Sequence, residues 1–141
     1  MTNDRPKIYL VDDHKSFTVL TKHVVNNYFE SECDIDIYED SEIALNKIIS
    51  NPNGLDYLFL DLAMPKLNGW DFIEELKKKL ELESLSFDII IITGSEANSD
   101  MKQASRLNCV THFINKPLSL DKVNQIFKSS EYLKNLEQVN V

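Results

Sequence analysis

Apolar residues fall in five short runs, each followed by a stretch in which apolar positions recur every three or four residues. The first run, residues 8–11, stops at Asp12 and Asp13, and Phe17, Leu20, Val24 and Tyr28 then mark the predicted core stripe of a first helix. Residues 34–38 alternate with period two, the pattern of a strand with one wet face. Residues 43–49 read as a short helix, closed by the turn signal Asn51-Pro52-Asn53-Gly54. The apolar run 57–60 ends at Asp61, after which Phe72, Ile73, Leu76 and Leu80 mark a third helix with Asn68 as its N-cap. Residues 89–92 end at Thr93-Gly94, and Ala97, Met101, Ala104 and Leu107 give a weakly apolar fourth helix. Residues 110–114 lead into Asn115-Lys116-Pro117, and Ser119 caps a last helix that turns Leu120, Val123 and Phe127 toward the core.

Strand alternating with helix predicts βαβ units around a parallel sheet. The runs at 8–11, 57–60 and 89–92 are almost wholly apolar, so helices should cover both their faces. The strand at 34–38 carries aspartates and the one at 110–114 carries Thr111 and His112, which makes these two the edges. With right-handed crossovers the simplest arrangement is an α/β, doubly wound, five-stranded sheet of order 2-1-3-4-5, flavodoxin-like in topology. One domain over residues 7–135 is expected, with flexible ends at 1–6 and 136–141.

Composition narrows the function. The 141 residues are 43% apolar and 27% charged, an ordinary globular balance. A net charge of −8 argues against direct nucleic-acid binding or attachment to anionic lipid, both of which need a basic patch. No apolar run approaches the roughly 20 residues of a membrane span, and Met1 to Pro6 has no apolar signal core. Cys33 and Cys109 form no CxxC pattern and read as inert thiols in a reducing compartment, which places the chain in the cytoplasm. His14, His23 and His112 read as surface or packing histidines, and Lys77-Lys78-Lys79 as a solvated helix face.

In sheets of this order, ligands bind beyond the carboxyl ends of the strands, near the switch point between strands one and three. The residues there are Asp12, Asp13, Asp61, Thr93 and Lys116. Singly each has a plain role: Asp12 or Asp13 could cap the first helix, Asp61 could begin a turn, and Lys116 could be solvated. Jointly they place three carboxylates, a hydroxyl and an ammonium at one mouth. The carboxylates repel one another, and one lysine offsets only part of that charge. Oxygen donors without histidine or thiolate suit a hard cation, with Mg2+ the expectation. Asp61 is central and can act as a nucleophile, forming an acyl phosphate. Phosphoryl transfer needs mainly positioning and charge neutralisation, which the cation, Lys116 and Thr93 would supply.

On the motifs Val11-Asp12-Asp13-His14, Asp61-Leu62-Ala63-Met64-Pro65 with Gly69, Thr93-Gly94 and Phe113-Ile114-Asn115-Lys116-Pro117, the chain resembles the receiver domain of two-component response regulators over about residues 7 to 130. The resemblance implies that Asp12 and Asp13 hold Mg2+ with Asp61 and the Ala63 backbone carbonyl, and that Asp61 accepts the phosphoryl group. It implies Thr93 as the switch hydroxyl, Lys116 as a phosphate contact and Phe113 as the switch aromatic. Pro65 and Gly69 would shape the loop beside Asp61, and Lys116-Pro117 would be a cis peptide. The implied phosphodonor is the phosphohistidine of a sensor histidine kinase or histidine phosphotransfer domain. The implied output is a changed surface on the fourth helix, fifth strand and fifth helix, where a target or a second copy could dock as a homodimer. Such a protein is not an enzyme beyond its own phosphorylation and dephosphorylation. No effector segment follows the fifth helix, so a stand-alone, chemotaxis-regulator-like receiver is expected. Ala63 departs from the polar or larger residue common at its position, where it can neither position water nor block it. Two other readings compete: a pseudo-receiver that binds without phosphate, which the complete residue set disfavours, and a flavin-binding protein, whose phosphate Asp12 and Asp13 would repel.

Overall fold

In the computed structural model, which describes residues 5–81, 84–94 and 98–128, the chain runs β1 (Lys7–Val11), α1 (Lys15–Tyr28), β2 (Asp34–Tyr38), α2 (Ser41–Ser50), β3 (Tyr57–Leu60), α3 (Gly69–Lys79), β4 (Asp88–Thr93), α4 (Asn98–Ser105) and β5 (Val110–Asn115). Residues 120–128 are helical and are here called α5. All strands are parallel, in the order β2-β1-β3-β4-β5. The expected edges are therefore the edges, and the three wholly apolar strands lie between them. Ala97 of the fourth-helix reading, residues 1–4 of the N-terminal end and the tail 136–141 lie outside the described residues. Of the N-terminal six, Pro6 accepts a hydrogen bond at its carbonyl from the Asp34 backbone N–H at 2.9 Å.

The sheet divides two apolar layers. On one face Tyr9, Val11, Leu58, Leu60, Ile89 and Ile91 meet Ala44, Leu45 and Ile48 of α2, Phe72, Ile73 and Leu76 of α3 and Ala104 of α4. On the other, Ile8, Leu10, Phe59, Ile90 and Ile92 meet Val25 of α1 and Val123, Ile126 and Phe127 of α5. Phe127 anchors that second layer, its ring lying 4.7 Å from Phe29, 4.8 Å from Tyr57 and 5.4 Å from Tyr28, centroid to centroid.

Helix boundaries follow their caps. Asp40 Oδ1 accepts from the backbone N–H groups of Glu42 and Ile43, so α2 begins at Ser41, two residues before the apolar run suggested. Asn68 Oδ1 accepts from Asp71 N–H at 2.9 Å and starts α3, as expected. Ser119 caps α5 in the same way, accepting from Lys122 N–H at 3.3 Å.

The structure corrects three phases. The buried stripe of α1 is Thr18, Thr21 and Val25; Phe17, Val24 and Tyr28 flank it, and Leu20 is exposed. Two threonines in that stripe broke the apolar pattern: Thr18 satisfies its hydroxyl on the Lys15 carbonyl at 2.9 Å, which lets it face inward. Leu120 stands at the first turn of α5, 53% exposed, and Ile126 takes the core position in its place. Met101 of α4 is also exposed, and Leu107 lies beyond the end of that helix.

One irregularity decides a side-chain direction. Ile89 pairs with Val110 but Ile90 pairs with His112, so Thr111 is an extra residue, a β-bulge. Without it, Phe113 would lie on the α1–α5 face, because a one-residue slip exchanges the faces of a strand. With it, Phe113 is opposite Ile91 and packs on the α4 side.

Candidate functional site

Each strand that ends at the switch point delivers one polar group. Asp12 follows β1, its backbone N–H donating to the Tyr38 carbonyl at 3.1 Å, and Asp61 follows β3, its N–H donating to the Val11 carbonyl at 3.0 Å. These bonds extend the sheet one residue past the regular strands and draw both carboxylates over its edge. Thr93 is the last residue of β4, and its carbonyl accepts the Lys116 N–H at 2.8 Å, tying the start of the β5–α5 loop to the same edge. The Lys116-Pro117 peptide is cis, as the motif implied.

Asp12, Asp13, Asp61 and Lys116 therefore meet, with Thr93 on the same sheet edge. Asp12, Asp61 and Thr93 are each at most 2% exposed, and Asp13 is half-buried. Lys116 Nζ lies 2.8 Å from Asp12 Oδ2 and 3.2 Å from Asp61 Oδ2, so one ammonium bridges two buried carboxylates. Burial and the neighbouring charge of Asp12 push the Asp61 carboxyl above the usual carboxylate range, against Lys116 and the Ala63 N–H, which donates to Asp61 Oδ1 at 3.2 Å. Burial also works against the ionised form of Asp12, but the hydrogen bonds from Lys116 and the His14 backbone outweigh it and hold Asp12 below that range. One carboxylate of the pair is thus fully paid in hydrogen bonds and the other is left short of positive charge.

Two residues at the site were not legible as such. His14 was expected to be a surface or packing histidine; it is at the surface, half exposed, and in addition its Nδ1 lies 3.1 Å from Asp12 Oδ1, 3.3 Å from Asp13 Oδ1 and 3.5 Å from Asp61 Oδ2. His14 is also the N-cap position of α1, without a side-chain cap, while Asp12 Oδ1 receives the His14 backbone N–H at 3.0 Å. Phe17 sits under the lysine, its ring centroid 4.5 Å from Lys116 Nζ, where the ring face favours the cation. The only signal for either was proximity in sequence to Asp12-Asp13. His23 and His112 keep their expected roles: His23 is exposed against Asn27, and His112 lies on the edge strand.

The loop after Asp61 is shaped as expected from Pro65 and Gly69. Gly69 N–H donates to the Leu62 carbonyl at 2.9 Å, and a Cβ at Gly69 would meet Leu62 Cα at 2.8 Å and the Asp61 carbonyl oxygen at 3.0 Å. Only glycine admits that approach, which brings α3 against the acceptor loop. Lys66 takes a left-handed backbone (φ 65°), Leu67 N–H closes onto the Pro65 carbonyl at 2.7 Å, and Lys66 Nζ reaches Asp40 Oδ2 at 2.9 Å. The loop is thereby fastened to the cap of α2.

The donor set suits a divalent cation. One ligand atom each from Asp12, Asp13, His14 and Asp61 can be chosen so that all lie within 4.8 Å of one another. Asp13 Oδ1 is buried and has no hydrogen-bond partner, although His14 Nδ1 is near. A buried carboxylate oxygen left without a donor costs free energy that a cation would recover. Three clustered carboxylates fit a hard cation such as Mg2+.

Residues 8–128 match the family model described as the response regulator receiver domain. The chain is 30% identical over 123 residues to the alkaline phosphatase synthesis transcriptional regulatory protein PhoP of Bacillus subtilis, a match covering 87% of this chain and 47% of that protein, so the chain spans about half the length of that relative. In fold it is similar to a two-component response regulator from Cytophaga hutchinsonii (TM-score 0.78, 18% identity, covering 89% of this chain and 96% of that one). It is likewise similar to the signal receiver domain of a LuxO repressor protein from Vibrio parahaemolyticus (TM-score 0.74, 21% identity, 96% of each chain).

Proposed function

The chain belongs to the response regulator receiver domain family of two-component systems, and from that premise we propose that it is an active phosphoacceptor, taking a phosphoryl group from a phosphohistidine onto Asp61. The observation that carries this reading is the buried Asp61 carboxylate at the end of β3, 3.2 Å from Lys116 Nζ and within the acidic cluster of Asp12 and Asp13. An Asp61 oxygen attacks phosphorus, the O–P bond forms as the P–N bond to imidazole breaks, and the imidazole leaves with its electron pair and takes up a proton. Lys116 Nζ neutralises charge on the group as it arrives, and Phe17 keeps that ammonium from swinging to solvent. Asp12, Asp13, Asp61 and the Ala63 carbonyl would hold Mg2+, which when bound would supply positive charge that keeps the carboxylates ionised and offsets the charge of the phosphoryl group.

The donor is the phosphohistidine of a sensor kinase or a histidine phosphotransfer domain. With acetyl phosphate as a small-molecule donor and Mg2+ present, intact mass should rise by one phosphoryl group, and chelating the metal should prevent it. Labelling that proceeds equally well in a chelator would refute the metal's part. The Asp13→Asn variant should need a higher Mg2+ concentration for the same labelling rate, because the orphaned Oδ1 is the oxygen with most to gain.

The output is a change at α4, β5 and α5. Thr93 and Phe113 share a sheet face, since Phe113 is opposite Ile91 and Thr93 follows two residues later. The half-buried Phe113 lines a shallow groove with Met101, Ala104, Ser105 and Val110. A phosphoryl oxygen at Asp61 draws the Thr93 hydroxyl toward it and frees space into which Phe113 turns, altering the groove presented to a target or a second copy. A hydrogen bond to a charged group is worth roughly 1.5–3 kcal/mol, enough to shift such an equilibrium tenfold or more. Thr93→Ala should still accept phosphate while losing most of the NMR shift change around Phe113 seen with a beryllofluoride mimic. A variant that responds like wild type there removes the coupling.

A further inference from the structure

We propose that His14 is a fourth protein ligand, shifting the preference of the acidic pocket toward borderline transition-metal cations such as Ni2+ relative to Mg2+; this rests on the reading of that pocket as the cation site. Three oxygen ligands select a hard cation, but an imidazole nitrogen added to them moves the preference toward later first-row metals. The geometry supplies that nitrogen. His14 Nδ1 stands 3.1, 3.3 and 3.5 Å from one oxygen each of Asp12, Asp13 and Asp61. Ligands bound at roughly 2.0–2.2 Å to one ion are separated by roughly 3.0–3.5 Å along the edges of its coordination shell. The imidazole nitrogen thus lies within such an edge distance of an oxygen from each of the three carboxylates, close enough to join them around one ion. With the proton on Nδ1 that nitrogen donates to Asp12 Oδ1, and with the proton on Nε2 the Nδ1 lone pair faces the same carboxylates.

The second support is Asp13. Its Oδ1 is buried without a hydrogen-bond partner and is also the Asp13 atom nearest to His14 Nδ1. The one ligand atom the fold leaves unsatisfied thus abuts the nitrogen. His14 itself is half exposed on its side chain, and its ring caps no backbone N–H of α1, so replacing it removes a ligand and little of the packing.

The test is calorimetric titration of the full chain with the chloride salts of Mg2+, Mn2+ and Ni2+, using wild type, His14→Ala, Asp13→Asn and, as a control for other imidazoles, His23→Ala. Electron spin-echo spectra of the Mn2+-loaded wild type should carry nitrogen modulation from a directly bound imidazole. His14→Ala should erase that modulation and weaken Ni2+ binding by roughly tenfold or more, while shifting Mg2+ affinity by less than about twofold, since a hard ion gains little from the imidazole; His23→Ala should change neither. No nitrogen modulation in wild type, or Ni2+ affinity unchanged in His14→Ala, overturns the His14 assignment. In that case weakened Mg2+ binding in Asp13→Asn leaves the acidic pocket standing as the cation site. If Asp13→Asn leaves the affinity for every ion unchanged, the pocket reading and the His14 assignment fall together.

Discussion

Replacing Asp61 with asparagine should abolish phosphoryl uptake and, in the absence of divalent cation, make the fold more stable. The first effect follows from chemistry: an amide is a poor nucleophile, and no other carboxylate at the site closes a strand between Asp12 and Lys116. The second follows from electrostatics. Burial and Asp12 raise the Asp61 carboxyl above its ordinary range, so at neutral pH the ionised group opposes folding. A carboxyl whose folded pKa is raised contributes most below its unfolded pKa of about 4 and loses that contribution as pH rises through the folded value. Wild type should therefore lose stability over that interval relative to Asp61→Asn. The advantage of the variant should vanish in acid and be complete at neutral pH. A gain of about 1 kcal/mol or more is expected from removing such a charge, seen as a rise of roughly 2–4 °C per kcal/mol in melting temperature. Saturating Mg2+ should narrow the difference, because the cation binds the wild-type cluster better. Urea unfolding across pH, with and without Mg2+, measures all three.

Phe72→Ala should cost about 3–5 kcal/mol, a large part of the stability of a domain this size. The ring is fully buried and, with Ile73 and Leu76 of the same helix, belongs to the core layer formed with Val11, Leu58 and Leu60 of β1 and β3. Leu120→Ala should cost less than about 0.5 kcal/mol, because that side chain is 53% exposed. The pair separates the observed core from the one the periodicity suggests, in which both residues point inward. A Leu120→Ala loss comparable to that of Phe72→Ala would contradict the phase of α5.

The sheet order was legible because chemistry distinguishes its strands: aspartates on β2 and polar residues on β5 mark edges, and uninterrupted aliphatics mark the centre. The site was legible for a related reason. Its charged and hydroxyl residues each stop an apolar run, and parallel strands bring all their carboxyl ends to one side. What could not be read were features set by a hydroxyl's local partner or by a single inserted residue. Thr18 hides its polarity on the Lys15 carbonyl, so α1 turns a face that composition alone would not choose. Thr111 adds a residue to β5 and sends Phe113 to the α4 side, an outcome a period-two pattern does not register. His14 follows two aspartates, but the turn of its ring back onto them depends on the backbone geometry at the start of α1.

Asp61 is the proposed carrier of the phosphoryl group. Reduction of the phosphorylated wild-type protein with borohydride converts an acyl phosphate to homoserine, and peptide mapping by mass spectrometry then reads its position. Homoserine at position 61 alone, dependent on both donor and Mg2+, is the predicted result. Homoserine at Asp12, Asp13 or any other carboxylate, or a stable phosphoryl label with no homoserine at all, would contradict it.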